Sequence, residues 1–210
     1  MSVEARLARL LAHPAIWRGR SARCLDTVPT GFAALDASLP GNGWPRIGLI
    51  EILLPRLGVG EMYLLLPALT ALTSRPNARW CAWIAPPLDP FAPALAAHGL
   101  NLSRLLVVHT PAPLWASEQA LRSGACEVSL SWVRRVQSRA LRRLQLATEH
   151  GRTLGIVFRA LTSRSARESS CAALRIALHP IQAGLRVTLL KSRGGLPGAI
   201  ELHFPVDVGP

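Results

Sequence analysis

The stretch from Leu49 to Leu66, LIEILLPRLGVGEMYLLL, constrains the fold more than any other. A short apolar strand carrying Leu49, Ile50, Ile52 and Leu53 runs into a glycine-bearing turn, and a long apolar stretch follows. Strand, Gly-rich turn and helix is the layout of a phosphate-binding loop, which belongs to α/β folds. A working loop needs G-x-x-x-x-G-K-[ST]. Its glycines let backbone N–H groups approach the phosphates, its lysine neutralises them, and its hydroxyl ligates magnesium. At that spacing the chain offers Pro55, Gly60, Glu61 and Met62. Proline has no N–H to donate, and Met62 cannot ligate magnesium. Glu61 puts a negative charge where the positive one belongs; two unit charges ~4 Å apart interact by about 4 kcal/mol at an effective dielectric near 20. The turn therefore reads as structural: Gly58 and Gly60 turn the chain, and Tyr63 to Leu66 pack a helix on the sheet. The alternative, nucleotide binding without hydrolysis, is opposed by the charge of Glu61.

Periodicity extends the same class along the chain. Residues 3–12 suit a small helix with Leu7, Leu10 and Leu11 on one side, and Thr30 suits the cap of a short helix carrying Phe32, Leu35 and Leu39. Strands are expected at 49–54, 79–85, 104–110, 126–132 and 153–159. Helices are expected at 61–73, 90–99, 114–124 and 133–150, three of them closed by glycine. Segments 174–180, 185–193 and 199–204 are spaced as a meander or hairpins. The expectation is one α/β domain over 28–210, preceded by an N-terminal helix and lead-in over 1–27. Its sheet is mainly parallel, flanked by helices, with antiparallel strands at the C-terminal end.

Charge and composition narrow the function. Of 24 basic residues only Lys191 is a lysine. The span from Arg134 to Arg193 holds 13 of them against Glu149 and Glu168, nearly the whole net charge of +12. Such a concentration suits a polyanion, nucleic acid first, or an acidic partner surface; the plain alternative is a solvated face in an arginine-rich chain. The longest apolar run, Met62 to Leu72, is about half the ~20 residues that span a bilayer. With no apolar signal core at the N-terminus, the expected location is cytoplasmic. Cys24, Cys81, Cys126 and Cys171 are widely spaced and read as free thiols. The six histidines have no helix-spaced or hairpin-spaced metal partner, so no metal or cofactor is expected. No G-x-S-x-G elbow is present, and Glu118 beside Trp115 reads as a surface carboxylate.

Several ordered motifs carry a resemblance. TGFAALDASLPGNGWPRIGLIEI resembles the segment leading into the phosphate loop of RecA-type recombinases, and CAWIAPPLDPFAPALAAHGLNLSRLLVV resembles the segment after it. PGNGWP, GVGEMYLLLPAL, WIAPPLDPFAPAL, LWASEQALRSGA and LRRLQLATEHG resemble the ImuA family more closely still. These are RecA-like accessory proteins of damage-induced mutagenesis, related to the SulA cell-division inhibitors. The resemblance covers about residues 28 to 204 and implies a RecA-like core with a degenerate nucleotide site. If one residue is inserted, Pro55 matches the RecA loop proline, Leu54 replaces the first glycine, and Glu61 still stands for the lysine. The RecA glutamate that activates water corresponds to Pro87, and the metal-supporting aspartate to Ser131 or Trp132. Each part of ATP hydrolysis is thus replaced, and no enzyme is expected.

The ImuA resemblance implies a non-catalytic scaffold of translesion DNA synthesis. Its partners would be an ImuB-like inactive Y-family polymerase homologue, an error-prone replicative-type polymerase, RecA itself and DNA, and its site in the cell the nucleoid. SulA-like resemblance implies instead a division inhibitor that binds FtsZ; a third reading is an active RecA-like ATPase. In WVRRVQSRALRRLQLATEH, Val133, Val136, Ala140, Leu144 and Ala147 make a core stripe. Arg135, Arg139 and Arg142 form a row flanked by Arg134 and Arg143. The next loop adds Arg159, Arg164 and Arg167, where RecA-type proteins place a mobile DNA-facing loop. Arg134, Arg135, Arg139, Arg142, Arg143, Arg164 and Arg167 are therefore the DNA-contact candidates. Trp44, Pro86, Pro87 and Phe91, near the carboxyl ends of strands, are candidates for a partner surface.

Overall fold

The computed structural model describes residues 26–192 and 197–204. The helix expected over 3–12 lies outside the described residues, as does Cys24. The first elements are a two-stranded antiparallel ribbon of β1 (Thr27–Val28) and β2 (Trp44–Pro45) with the short helix α1 (Ala33–Ser38) between them. Thr30 does not cap α1. Its hydroxyl accepts from the Phe32 N–H at 3.0 Å, while Asp36 reaches back to the Thr30 N–H at 2.8 Å.

The strands and helices that follow alternate: β3 (Gly48–Leu54), α2 (Glu61–Thr73), β4 (Trp80–Ile84), α3 (Ala92–Ala97), β5 (Leu105–Val108), α4 (Pro113–Arg122), β6 (Cys126–Trp132), α5 (Ser138–Gly151), β7 (Leu154–Ala160) and α6 (Ser163–Arg167). β8 (Leu174–Ile181), β9 (Gly184–Ser192) and β10 (Gly198–His203) complete the chain. The eight strands from β3 onward form one sheet in the order β10-β9-β8-β3-β7-β6-β4-β5. Pairings from β5 through to β8 are parallel; β9 runs antiparallel to both β8 and β10. The mixed α/β class and its antiparallel end match the sequence expectation. β8 departs from it in part: it pairs parallel with β3 on one side and forms a hairpin with β9 on the other.

β3 lies at the centre, and all seven of its residues are buried. A parallel strand covered on both faces requires that, and side-chain alternation divides it. Ile50, Ile52 and Leu54 join the core with Leu64, Leu65, Leu69 and Leu72 of α2. Leu49 joins the other core, with Leu121 of α4, Leu141, Leu144 and Ala147 of α5, and Val157 of β7. Pro67 stands inside α2, where Gly31 (φ +89°) passes so close that a Cβ there would lie 2.5 Å from the proline ring. The long basic helix begins five residues later than expected. The Val133 N–H donates to the Phe158 carbonyl at 3.1 Å, prolonging the β6–β7 ladder, and the chain bends at Arg134 and stays non-helical to Gln137. Val133 and Val136 still reach the α5-side core, but as loop residues.

At the amino ends of the strands, Glu127 at the start of β6 gathers three arginines. Arg46 Nη2 donates to it at 2.7 Å and Arg79 Nε at 2.8 Å, and Arg75 is the third donor. Arg79 also donates to the carbonyls of Gly124, Gly151 and Arg152, tying the ends of α4 and α5 to the sheet. Burial would raise the Glu127 carboxyl, but hydrogen bonds and charge from Arg79 and Arg75 outweigh it and hold it below the usual carboxylate range. A carboxyl held low in the fold adds stability above its unfolded value and loses it as pH falls through the folded one. The melting temperature should therefore fall on acidification below the ordinary carboxylate range, and Glu127→Gln should flatten that part of the profile. A Glu127→Gln profile parallel to the wild type across this window would show that the carboxylate contributes nothing.

Candidate functional site: a groove at the carboxyl ends of the strands

The carboxyl ends of β3, β4, β6 and β7 open on one side into a groove of about 1060 Å³. Ligand sites in α/β sheets lie on this side. Its floor is apolar, built from Leu54, Trp132, Val133, Leu144 and Phe158. Trp132 stacks on Phe158 with centroids 4.8 Å apart and meets Trp83 at 5.7 Å, so a ladder of rings crosses β4, β6 and β7 under the groove. Pro55, Arg56 and Leu57 of the turn after β3 form one wall. Thr110 to Trp115, leading into α4, form another, and Arg134 and Arg135 a third.

The turn after β3 is closed on itself. Gly58 (φ +75°) and Gly60 (φ +106°) take left-handed conformations, and Gly60 caps α2. Glu61, 5% exposed, folds back so that its Oε1 accepts from the Gly58 N–H at 2.9 Å. Its carboxylate thus takes a backbone donor of the kind a phosphate loop offers its ligand. Its Oε2 is buried with no hydrogen-bond partner among the described residues. Met62 packs on the α2-side core, and the ring of Phe204, just beyond β10, meets that of Tyr63 at a tilt of 44° with centroids 4.2 Å apart behind the turn. Ser131 is buried and shares a 2.6 Å hydrogen bond with Ser117, holding α4 to β6. Pro87 is exposed and lines the groove.

The remaining candidates divide. Trp44 is 0% exposed in the β1–β2 ribbon and offers no surface, because its ring belongs to the same core as the apolar face of α2. Pro86 is half-buried; Phe91 is 71% exposed, and Leu88, which the sequence reading passed over, 82%. Arg134, Arg135 and Arg143 line the groove, but Arg143 is held by Glu118. Arg135 lies in the non-helical connection before α5, so the helical row with Arg139 and Arg142 does not exist. Arg139 and Arg142 are exposed on α5 outside the groove. Arg164 and Arg167 sit on α6, a short helix fixed by a capping box at Thr162 and Ser165.

Arg159 is not a surface residue. It is buried in β7 and bonds Glu51 Oε2 at 2.6 Å and Glu168 Oε2 at 3.0 Å. Burial would lower its pKa, but Glu51 and Glu168 outweigh that and raise it. Arg175, equally buried, donates to the carbonyls of Glu168 and Ser165. The segment expected to be a mobile DNA-facing loop is thus pinned from beneath. The sequence reading also missed Arg56, Leu57 and Trp115. Trp115 could have been found, because it falls off the stripe of Ser117 and Leu121 that buries α4. Among the described residues no cluster of His, Cys, Asp or Glu suits a metal ion, and no helix is long and apolar enough to cross a membrane.

Comparison with known proteins bears on the same region. The family model for the cell division inhibitor SulA matches residues 56–155. The chain is similar to the cell division inhibitor SulA of Pseudomonas aeruginosa, 28% identical over 152 residues that span 71% of this chain and 91% of that protein. It is also similar to the crystal structure of SulA from that organism, 29% identical, covering 53% of this chain and 98% of that one with a TM-score of 0.46. These are likenesses to SulA proteins, and they overturn the translesion reading. The ImuB-like protein, the error-prone polymerase, RecA and DNA as partners fall with it. Most motifs that suggested ImuA lie within 56–155, the span the SulA model also matches, so they could not separate the two. Of the basic residues that suggested a polyanion, Arg159 and Arg175 spend their charge inside the fold.

Proposed function

We propose that this chain is a SulA-like cell division inhibitor, working without catalysis in the cytoplasm by binding the division GTPase FtsZ. The match of residues 56–155 to the SulA family model carries the reading. The similarity to nearly the full length of one SulA protein supports it. We read residues 28–210 as a single domain with a RecA-type core and the turn at 55–60 as a structural remnant of a phosphate loop. The closed geometry of Glu61 and Gly58, and the buried Ser131, favour that reading.

Two measurements test it. Induced expression in rod-shaped bacteria should produce filaments, with nucleoids separated but septa missing. Purified protein added to FtsZ assembling with GTP should lower the sedimentable polymer in proportion to its concentration. Normal division at high soluble expression, together with unchanged FtsZ sedimentation, would refute the reading.

A further inference from the structure

The groove joins two features that rarely coincide on a free surface. Leu57 is 53% exposed and Trp115 62% exposed, and both line it. Apolar side chains left open together, rather than scattered singly, mark an interaction site. Around them stand Arg56, Arg134 and Arg135, all exposed. Among the described residues no carboxylate pairs with these three. The one carboxylate lining the groove, Glu118, is already held by Arg143. The groove thus presents an apolar floor with uncompensated positive charge on its rim.

We infer that this groove is the docking site for an acidic, apolar segment of the protein partner. Leu and Phe side chains of that segment pack on Trp115 and Leu57, and its Asp or Glu side chains pair with Arg56, Arg134 and Arg135. This rests on the reading of the chain as an inhibitor that acts by binding. It adds the surface and the chemistry of what that surface holds. A nucleic acid would satisfy the arginines equally well. A base would find a stacking face on Trp115, but Phe158 is buried in the floor, and Leu57, Leu54, Val133 and Leu144 are aliphatic and give it none. Aromatic and Arg anchors around a desolvated centre are the usual energetic core of a protein interface.

The test uses the full chain and three probes: FtsZ, a labelled peptide alternating Asp with Leu and Phe, and oligothymidylate. Variants are Trp115→Ala, Arg134→Glu with Arg135→Glu, and a control of equal charge change outside the groove, Arg139→Glu with Arg142→Glu. Circular dichroism confirms folding, and Arg134→Gln with Arg135→Gln replaces the reversal if it fails to fold. The wild type should bind the acidic peptide and not its Lys-for-Asp counterpart. Each groove variant should weaken that binding about tenfold or more, an effect typical of an interface anchor, and the control should not. FtsZ should follow the peptide. Peptide binding that ignores both groove variants, or no peptide binding at all, overturns the inference. So does oligothymidylate binding that depends on the arginines but not on Trp115. If FtsZ binds and the groove variants change nothing, only the groove assignment fails. If the peptide series holds and FtsZ does not bind, the partner assignment fails instead.

Discussion

Glu51→Ala is expected to lower the unfolding free energy by about 3–5 kcal/mol, the usual cost of removing one partner from a buried ion pair. Glu51 stands in the centre of β3 with its side chain wholly buried; Arg159 and Arg175 beside it are 8% and 4% exposed. Its Oε2 accepts from Arg159 at 2.6 Å; Oε1 accepts from Ser170 and lies 3.3 Å from Arg175 Nε, an ion contact without hydrogen-bond geometry. The alanine variant leaves Arg159 with Glu168 alone, and Glu168 is half-open to water. Arg175 keeps its two carbonyl acceptors, so the loss falls mainly on Arg159. Glu51→Gln should cost less, since an amide oxygen can still accept from Arg159. Denaturant unfolding checks both. A loss below about 1 kcal/mol for the alanine variant, within the range of exposed pairs, would mean that water replaces the carboxylate.

This cluster also shows where the sequence was legible. β3 was readable because a run of Leu and Ile between turn residues admits little but a buried parallel strand. α2 was readable to its ends, because Gly60 precedes it and the apolar stripe stops at Thr73. The partners of Glu51 were not. A lone carboxylate in an apolar strand announces that a cation must reach it, but Arg159 is 108 positions away and arginine makes up all but one of the chain's 24 basic residues. Reading those arginines by count made a surface patch out of residues that neutralise the interior. The start of α5 failed for a related reason. Val133 and Val136 fit a helical stripe, yet the unpaired carbonyl of Phe158 on β7 claims the Val133 N–H for the sheet. Trp44 was misplaced because turn residues surround it, and nothing in its neighbours reveals that it pairs with Val28 in a ribbon that buries its ring. The groove could not be assembled from local sequence, since its three walls come from three separate connections.

Glu61→Lys is expected to cost about 3 kcal/mol and to confer no ATP hydrolysis. The native carboxylate does three things that lysine reverses. It accepts from the Gly58 N–H at 2.9 Å, a charged hydrogen bond worth about 1.5–3 kcal/mol. It places negative charge in the first turn of α2, worth about 0.3–1 kcal/mol against the helix dipole. It is buried, so an ammonium group in its place would have to leave the turn for solvent or lose its hydration. Leaving is the easier course, and it would break the closed turn that carries Pro55, Arg56 and Leu57 to the groove. Glu61→Gln keeps an acceptor for Gly58 and should cost only about 1 kcal/mol, the difference between a charged and a neutral hydrogen bond. Thermal melts of the two variants and phosphate release from ATP with magnesium are the measurements. Lysine would supply one residue of a phosphate loop, but exposed Pro87 has no basic side chain and buried Ser131 is taken by Ser117, so release should stay at background. A lysine variant as stable as the wild type that turns over ATP would overturn the view of this turn as a structural one. Loss of FtsZ inhibition in the lysine variant, with the glutamine variant unaffected, would tie the geometry of the turn to the groove it borders.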